Sequence, residues 1–154
     1  MGTMLMQTIP DFSLPATGGT IFQSKKLKRK RLILYFYPKD NTPGCTTEGM
    51  QFRDHYAAFD ALDCAVFGIS RDSLKLHENF KAKLELPFEL LSDSEEIACQ
   101  LFAVIKMKNL YGKQVRGIER STFLFDKQGR LLKEWRGVKV INHVPAVLEH
   151  MQSL

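Results

Sequence analysis

Short apolar runs and stretches of helical periodicity follow one another along the whole chain. Near the start, Phe12 and Leu14 alternate with polar neighbours, Gly18-Gly19 supplies a turn, and Ile21-Phe22 can return beside them. That pattern predicts an opening β-hairpin. Residues 32–37 are apolar or aromatic without a break and stop at Pro38, as expected of a central strand covered on both faces. Residues 46–59 lack proline and carry Met50, Phe52, Tyr56 and Phe59 at roughly helical spacing, which predicts a helix. Residues 64–69 read as a second buried strand, 72–84 as a polar-faced helix opened by a capping residue, 88–91 as a short strand and 94–102 as a short helix. Residues 121–125 and 131–135 flank Asp126-Lys127-Gln128-Gly129, a turn sequence that joins two strands into an antiparallel hairpin. Residues 143–151 bring Val144, Val147, Leu148 and Met151 onto one face of a closing helix.

An opening hairpin, three βα units, a second hairpin and a last helix predict an α/β fold: a central mixed β-sheet flanked by helices, with an N-terminal β-hairpin. Among such arrangements a thioredoxin-like fold fits best. With 154 residues, 44% of them apolar, and no repeat, low-complexity tract or Pro/Ser-rich linker, residues 1–154 are expected to form a single domain. The longest purely apolar run is far shorter than the roughly 20 residues a membrane-spanning helix requires. Residues 1–8 lack the basic cluster and apolar core of a secretory leader. A cytoplasmic protein without a membrane partner is therefore expected. Basic residues outnumber acidic ones 22 to 17, and part of the excess is a run at 25–31 interrupted only by Leu27. Because the run borders an apolar strand and is not interleaved with aromatics, it predicts a solvated connection, not a specific nucleic-acid surface.

The three cysteines, Cys45, Cys64 and Cys99, form no Cys-x-x-Cys pair, and a chain of this length needs no disulfide scaffold. His55, His77, His143 and His150 neither pair at ligand spacing nor lie near a cysteine in sequence, so no metal site is expected. Cys64 sits inside an apolar stretch and reads as core packing. Cys45 differs: it follows Pro43-Gly44 at the point where the loop after the central strand turns into a helix, with Thr42, Thr46 and Thr47 around it. A helix start presents unpaired N–H groups and about half a positive charge, which favours a thiolate. The crevice beyond the carboxyl end of a central strand is also where such sheets tend to bind ligands. An accessible, reactive sulfur is the expectation.

Tyr37-Pro38-Lys39-Asp40-Asn41-Thr42-Pro43-Gly44-Cys45-Thr46-Thr47-Glu48 contains the Pro-x-x-x-Thr-x-x-Cys pattern. It closely resembles the active-site segment of peroxiredoxins of the bacterioferritin comigratory protein, or peroxiredoxin Q, group. The likeness extends through Phe52-Arg53-Asp54, Gly68-Ile69-Ser70, Leu90-Leu91-Ser92-Asp93 and Gly117-Ile118-Glu119-Arg120-Ser121-Thr122-Phe123-Leu124, nearly the whole chain. The resemblance implies a monomeric thiol peroxidase that reduces hydrogen peroxide and organic hydroperoxides without metal or haem, in antioxidant defence. By the same resemblance, Cys45 would attack the peroxide and become a sulfenic acid. Thr42 would hydrogen-bond the peroxide, Pro38 would shield the thiolate, Arg120 would stabilise it, and Glu48 would orient an arginine. The backbone N–H groups of Cys45 and Gly44 would complete the cradle.

Ionisation alone cannot supply the rate such an enzyme needs. Lowering a cysteine pKa from about 8.5 to about 6 raises the thiolate fraction at neutral pH about 30-fold. The accompanying loss of nucleophilicity, at a Brønsted slope of about 0.45, returns roughly a factor of 13 and leaves about twofold. Most of the acceleration must come from donors and charge aimed at the breaking O–O bond, which is the part assigned to Thr42 and Arg120.

The sequence departs from the group at the resolving cysteine. Many members carry it five residues after the first, where this chain has Met50, and another variant carries it around Asn79-Phe80-Lys81, where none occurs. Cys99 remains a possible resolving cysteine, on a helix whose apolar face is Ile97, Ala98, Leu101 and Phe102 and from whose centre it points away. A one-cysteine cycle is the preferred reading, since a Cys45–Cys99 bridge would need Cα atoms within about 7 Å. Such a cycle needs an external thiol, either thioredoxin or glutathione with glutaredoxin. Two other functions compete. A thioredoxin-like thiol–disulfide oxidoreductase would need a second thiol where Thr42 stands, and a noncatalytic basic binding module would leave Cys45 inert.

Overall fold

The computed structural model describes residues 6–27 and 30–154, so the basic run at 25–31 lies partly outside the described residues. The opening hairpin forms as β1 (Ser13–Ala16) and β2 (Thr20–Gln23), and the central strand as β3 (Arg31–Phe36). The helix expected next is divided into α1 (Pro43–Asp54) and α2 (Tyr56–Ala61), because His55 leaves helical geometry at φ −101°, ψ 5°. Its ring Nδ1, 2.9 Å from the Gln51 carbonyl, shares that acceptor with its own backbone N–H. Then come β4 (Cys64–Ser70), α3 (Leu74–Leu84), β5 (Leu90–Ser92) and α4 (Ile97–Leu101). Ser73 caps α3, its hydroxyl accepting from the Leu76 N–H at 3.2 Å. β8 (Ser121–Phe125), β9 (Leu131–Arg136) and α5 (His143–Gln152) close the chain.

Between α4 and β8 the chain makes a hairpin for which no element was expected, β6 (Ile105–Leu110) and β7 (Lys113–Ile118), which among the described residues pair with each other alone. Its two turn residues, Tyr111 and Gly112, both have positive φ, as a two-residue connection between twisted strands requires. A tyrosine in place of the usual Asn or Asp hides that turn in the sequence.

The seven-stranded sheet runs β2-β1-β5-β4-β3-β8-β9, with β3, β4 and β5 parallel and the other neighbours antiparallel. Alternation along β3 and into Tyr37 divides the core in two. Ile33, Tyr35 and Tyr37 join Phe52, Phe59, Phe80, Val144 and Val147, so α1, α2, α3 and α5 cover that face. Leu32, Leu34 and Phe36 join Phe12, Phe102, Phe123 and Phe125 on the other, where α4 packs. A side chain buried in either layer is worth about 1.5–3 kcal/mol relative to exposure.

The register places the site. Phe36 pairs with Ser121 across the antiparallel β3–β8 ladder, so the end of β3 lies beside the start of β8 and Arg120 sits at the mouth of the loop that leads to α1. On the other flank Gly68 faces Tyr35. A Cβ at position 68 would lie 2.8 Å from Tyr35 Cζ and 2.9 Å from Leu90 Cδ2, and Tyr35 stacks on Phe52 of α1 at 4.4 Å between ring centroids. Gly68→Ala is therefore expected to destabilise the fold by about 1–3 kcal/mol. Urea unfolding measures this, and an unchanged midpoint would contradict the close approach.

Candidate active site

The loop from Pro38 to Thr42 turns through Asn41 at φ 63° and delivers the chain to α1 with Thr42 as N-cap and Pro43 as the first helical residue. Cys45 is the third residue of that helix, where the backbone N–H has no partner one turn back. The next N–H, of Thr46, already donates to the Thr42 carbonyl at 2.9 Å. The Thr42 hydroxyl does not cap the helix but donates to the Lys39 carbonyl at 2.8 Å, which fixes its rotamer and leaves its oxygen free to accept. Pro38, Thr42 and Gly44 of the segment leading to Cys45 are each half-buried.

Arg120 approaches from the opposite side. Its Nη2 lies 3.5 Å from Cys45 Sγ, and its Nη1 donates to Glu48 Oε1 at 2.6 Å. Glu48 follows Cys45 by three residues, which puts both side chains on one face of α1. Gly44 lets the guanidinium lie against the helix start, since a Cβ there would come within 3.1 Å of Nη2. The same Cβ would lie 3.8 Å from Val140 of the loop after β9, and the Arg120 carbonyl accepts from the Val138 N–H at 2.9 Å. Glu48 is fully buried, and burial pushes its carboxyl up to about 7 against the opposing pull of Arg120.

Two expectations about cysteines need correction. The sulfur of Cys45 was expected in an accessible position, yet the residue is only 2% exposed, because the first turn of α1 presses it into the layer formed by Tyr35, Tyr37 and Phe52. Cys99 was expected off the apolar face of its helix, yet it is fully buried and belongs to the core on the far side of the sheet from Cys45. Its N–H donates to Asp93 Oδ2 at 2.7 Å, and burial pushes its thiol well up. Cys64 lies in the core, where burial pushes its thiol up to about 12. Met50 stands on the exposed side of α1.

Of the residues named from sequence, Cys45, Thr42, Gly44, Glu48 and Arg120 converge on one place, with Pro38 at the head of the same loop. Sequence reasoning missed Val140, which carries no signal, and Tyr35, whose hydroxyl is buried without a hydrogen-bond partner and held well above its usual range by burial, Glu48 and Cys45. It also missed a cluster behind the loop. Asp40, Asp72 and His77 bring ligand-type atoms within 4.8 Å of one another. These atoms are committed to protein partners: His77 Nδ1 to Asp40 Oδ2 at 2.7 Å, and Asp72 Oδ2 to the Asp40 N–H and the Ser70 hydroxyl at 2.8 and 2.6 Å.

Residues 5–133 match the AhpC/TSA family model. The chain is 48% identical over 148 residues to peroxiredoxin Bcp of Bacillus subtilis (strain 168), covering 96% of this chain and 94% of that one. A solved structure of Xanthomonas campestris peroxiredoxin Q superposes with a TM-score of 0.90 at 46% identity, covering 97% of this chain and 96% of that one. A PrxQ mutant of Xylella fastidiosa superposes at 0.93 with 40% identity, covering 99% and 98%. The thioredoxin-like arrangement expected from the order of elements is thus the fold of these relatives. The chain belongs to the AhpC/TSA family and, within it, to the Bcp/PrxQ peroxiredoxins, which are thiol peroxidases.

Proposed function

We propose that this peroxiredoxin reduces hydrogen peroxide and organic hydroperoxides through a one-cysteine cycle at Cys45. The observation that carries the reading is the Arg120 guanidinium, shared between Cys45 Sγ at 3.5 Å and the buried Glu48 carboxylate at 2.6 Å. The thiolate attacks the terminal peroxide oxygen. An S–O bond forms as the O–O bond breaks, sulfur gives up two electrons, and the leaving oxygen departs with a proton as water or alcohol. Negative charge moves from sulfur to the leaving oxygen during this step, so donors positioned along that line stabilise the transition state more than the ground state. Arg120, beside the sulfur, takes that part by reaching the bound peroxide as well; the N–H groups of Cys45 and Gly44 are candidate donors along it, the Thr42 hydroxyl, whose own proton goes to the Lys39 carbonyl, accepts from the peroxide O–H, and Pro38 limits water around the thiolate.

The product at Cys45 is a sulfenic acid. With Met50 at the exposed position and Cys99 across the sheet, the reading favours an external thiol. That thiol attacks the sulfenic sulfur, expels water and leaves a mixed disulfide, and a second thiol then releases Cys45. Thioredoxin, or glutathione with glutaredoxin, supplies this chemistry. We assign the activity to a monomeric single domain in the cytoplasm.

Cys45→Ser is expected to abolish peroxide consumption, and a serine variant as fast as its parent removes the assignment. Arg120→Ala and Thr42→Val are each expected to slow Cys45 oxidation by about 10²- to 10³-fold at a pH where the sulfur is fully ionised; stopped-flow oxidation with the thiolate titrated in parallel checks this. Intact mass after one equivalent of peroxide should show one added oxygen on the chain. Loss of two hydrogens with no oxygen would instead indicate an internal disulfide, and peptide mapping that joined Cys45 to Cys99 would overturn the one-cysteine reading. The Glu48 carboxylate fixes Arg120 only when ionised, so its effect fades as pH drops through about 7. The peroxide rate divided by the iodoacetamide alkylation rate, a ratio that cancels the thiolate fraction, should therefore fall over that range. In Glu48→Gln the ratio should be low and flat.

A further inference from the structure

Behind the loop that carries Thr42 lies a second buried pair of ionisable side chains. Asp40 is 4% exposed, His77 of α3 is fully buried, and His77 Nδ1 stands 2.7 Å from Asp40 Oδ2. The other ring nitrogen, Nε2, stands 2.9 Å from the Leu91 carbonyl of β5. That carbonyl can only accept, so Nε2 carries a proton; the contact with Asp40 then shares one further proton between imidazole and carboxylate, and the pair is neutral overall whichever side holds it. The Tyr37 hydroxyl donates to Asp40 Oδ1 at 2.7 Å, and the Asp40 N–H donates to Asp72 Oδ2 at 2.8 Å. Both carboxylate oxygens of Asp40 and its backbone are thereby engaged, and the partners come from the end of β3, α3, β5 and the segment after β4.

We propose that the Asp40–His77 pair, braced by Tyr37, is a positioning device that holds the peroxide-binding loop in the geometry the reaction requires. It rests on the thiol-peroxidase reading given above. Asp40 precedes Thr42 by two residues, inside the same tight turn that sets the Thr42 rotamer through the Lys39 carbonyl and runs through Asn41 at φ 63°. Releasing Asp40 lets that turn relax, which displaces the Thr42 hydroxyl and the first N–H groups of α1 together. A displacement of about 1 Å at a positioned donor can cost on the order of 10²-fold in rate. Cys45 itself stays anchored by its own packing and by Arg120, so its reactivity as a plain thiolate is spared.

The pattern of variants follows from the hydrogen bonds. Asp40→Ala removes the tether. Asp40→Asn keeps it, because the side-chain amide can donate to a neutral His77 Nδ1 while its oxygen accepts from Tyr37. Asp40→Ala is expected to lower the second-order rate of Cys45 oxidation by hydrogen peroxide by about 10²-fold, with Asp40→Asn within about threefold of wild type. Alkylation of Cys45 by iodoacetamide, which needs only an ionised and reachable sulfur, should change by less than about threefold in both. Tyr37→Phe, which withdraws a single donor from Asp40, provides a gentler variant should Asp40→Ala fail to fold, and is expected to lose about three- to tenfold in the peroxide rate alone. A folded Asp40→Ala that keeps the wild-type peroxide rate overturns the proposal, as does a parallel fall in alkylation or an Asp40→Asn as slow as Asp40→Ala. If Asp40→Ala does not fold, an unchanged peroxide rate in Tyr37→Phe overturns it. A wild type that leaves peroxide intact fails differently, because it removes the peroxidase reading itself.

Discussion

A guanidinium held between a buried sulfur and a buried carboxylate is the constraint around which the structure is arranged. Arg120 reaches Cys45 and Glu48 across more than seventy residues of chain, and the β3–β8 register brings it there. The arrangement carries a cost, visible in the burial that drives the Glu48 carboxyl up to about 7 even beside a cation. Breaking such a pair by deleting one partner commonly costs about 3–5 kcal/mol, because the survivor is left buried and uncompensated. Stability and chemistry are therefore coupled at this place: what ties α1 to β8 also sets the charge beside the sulfur.

Local periodicity made most of the scaffold legible. The continuous apolar run at 32–37 signalled a strand with two buried faces, and its alternation does divide the core into two layers. The turn Asp126-Lys127-Gln128-Gly129 was legible for the same reason, because it acts through bonds a few residues long, whereas the helices expected from residues 46, 72 and 94 begin at Pro43, Leu74 and Ile97. The β6–β7 hairpin was missed although Ile105 and Met107 alternate with lysines in the period-2 manner of a strand; its turn gave no signal, because Tyr111 carries a positive φ that tyrosine rarely adopts. The position of Cys45 at a helix start could be read from spacing, whereas Arg120 and Glu48 entered only through the family resemblance. No local rule places an arginine at position 120 against a sulfur at position 45.

Cys99 shows where a helical wheel misleads. The wheel assumes one buried face, but α4 is five residues long and its Cys99 N–H is fixed by the Asp93 carboxylate, with the neighbouring residues Ala98 and Phe102 fully buried. The helix keeps a solvent side at Ile97 and Gln100, so the buried face is Ala98, Cys99 and Phe102 and not the one expected to include Ile97. Cys45 was misjudged for a related reason: polar neighbours in sequence describe the loop, while burial is decided by Tyr35, Tyr37 and Phe52 brought from the sheet and from later in α1.

The sheet then becomes a partition in the proposed cycle. Cys45 and Cys99 occupy opposite layers, so no rotamer change joins them; only a rearrangement through the sheet or around its edge would. An external thiol faces a smaller obstacle, since Cys45 lies in the first turn of α1, beside the half-buried loop residues Pro38 and Thr42, and need not cross the sheet. The same segment must nonetheless stay closed while the O–O bond breaks, because donors that wander by an ångström lose their advantage. Two buried side-chain pairs brace it, Arg120–Glu48 at the helix and Asp40–His77 behind the loop. A segment braced by side chains on both sides and free of covalent ties can be held for one half of the cycle and released for the other.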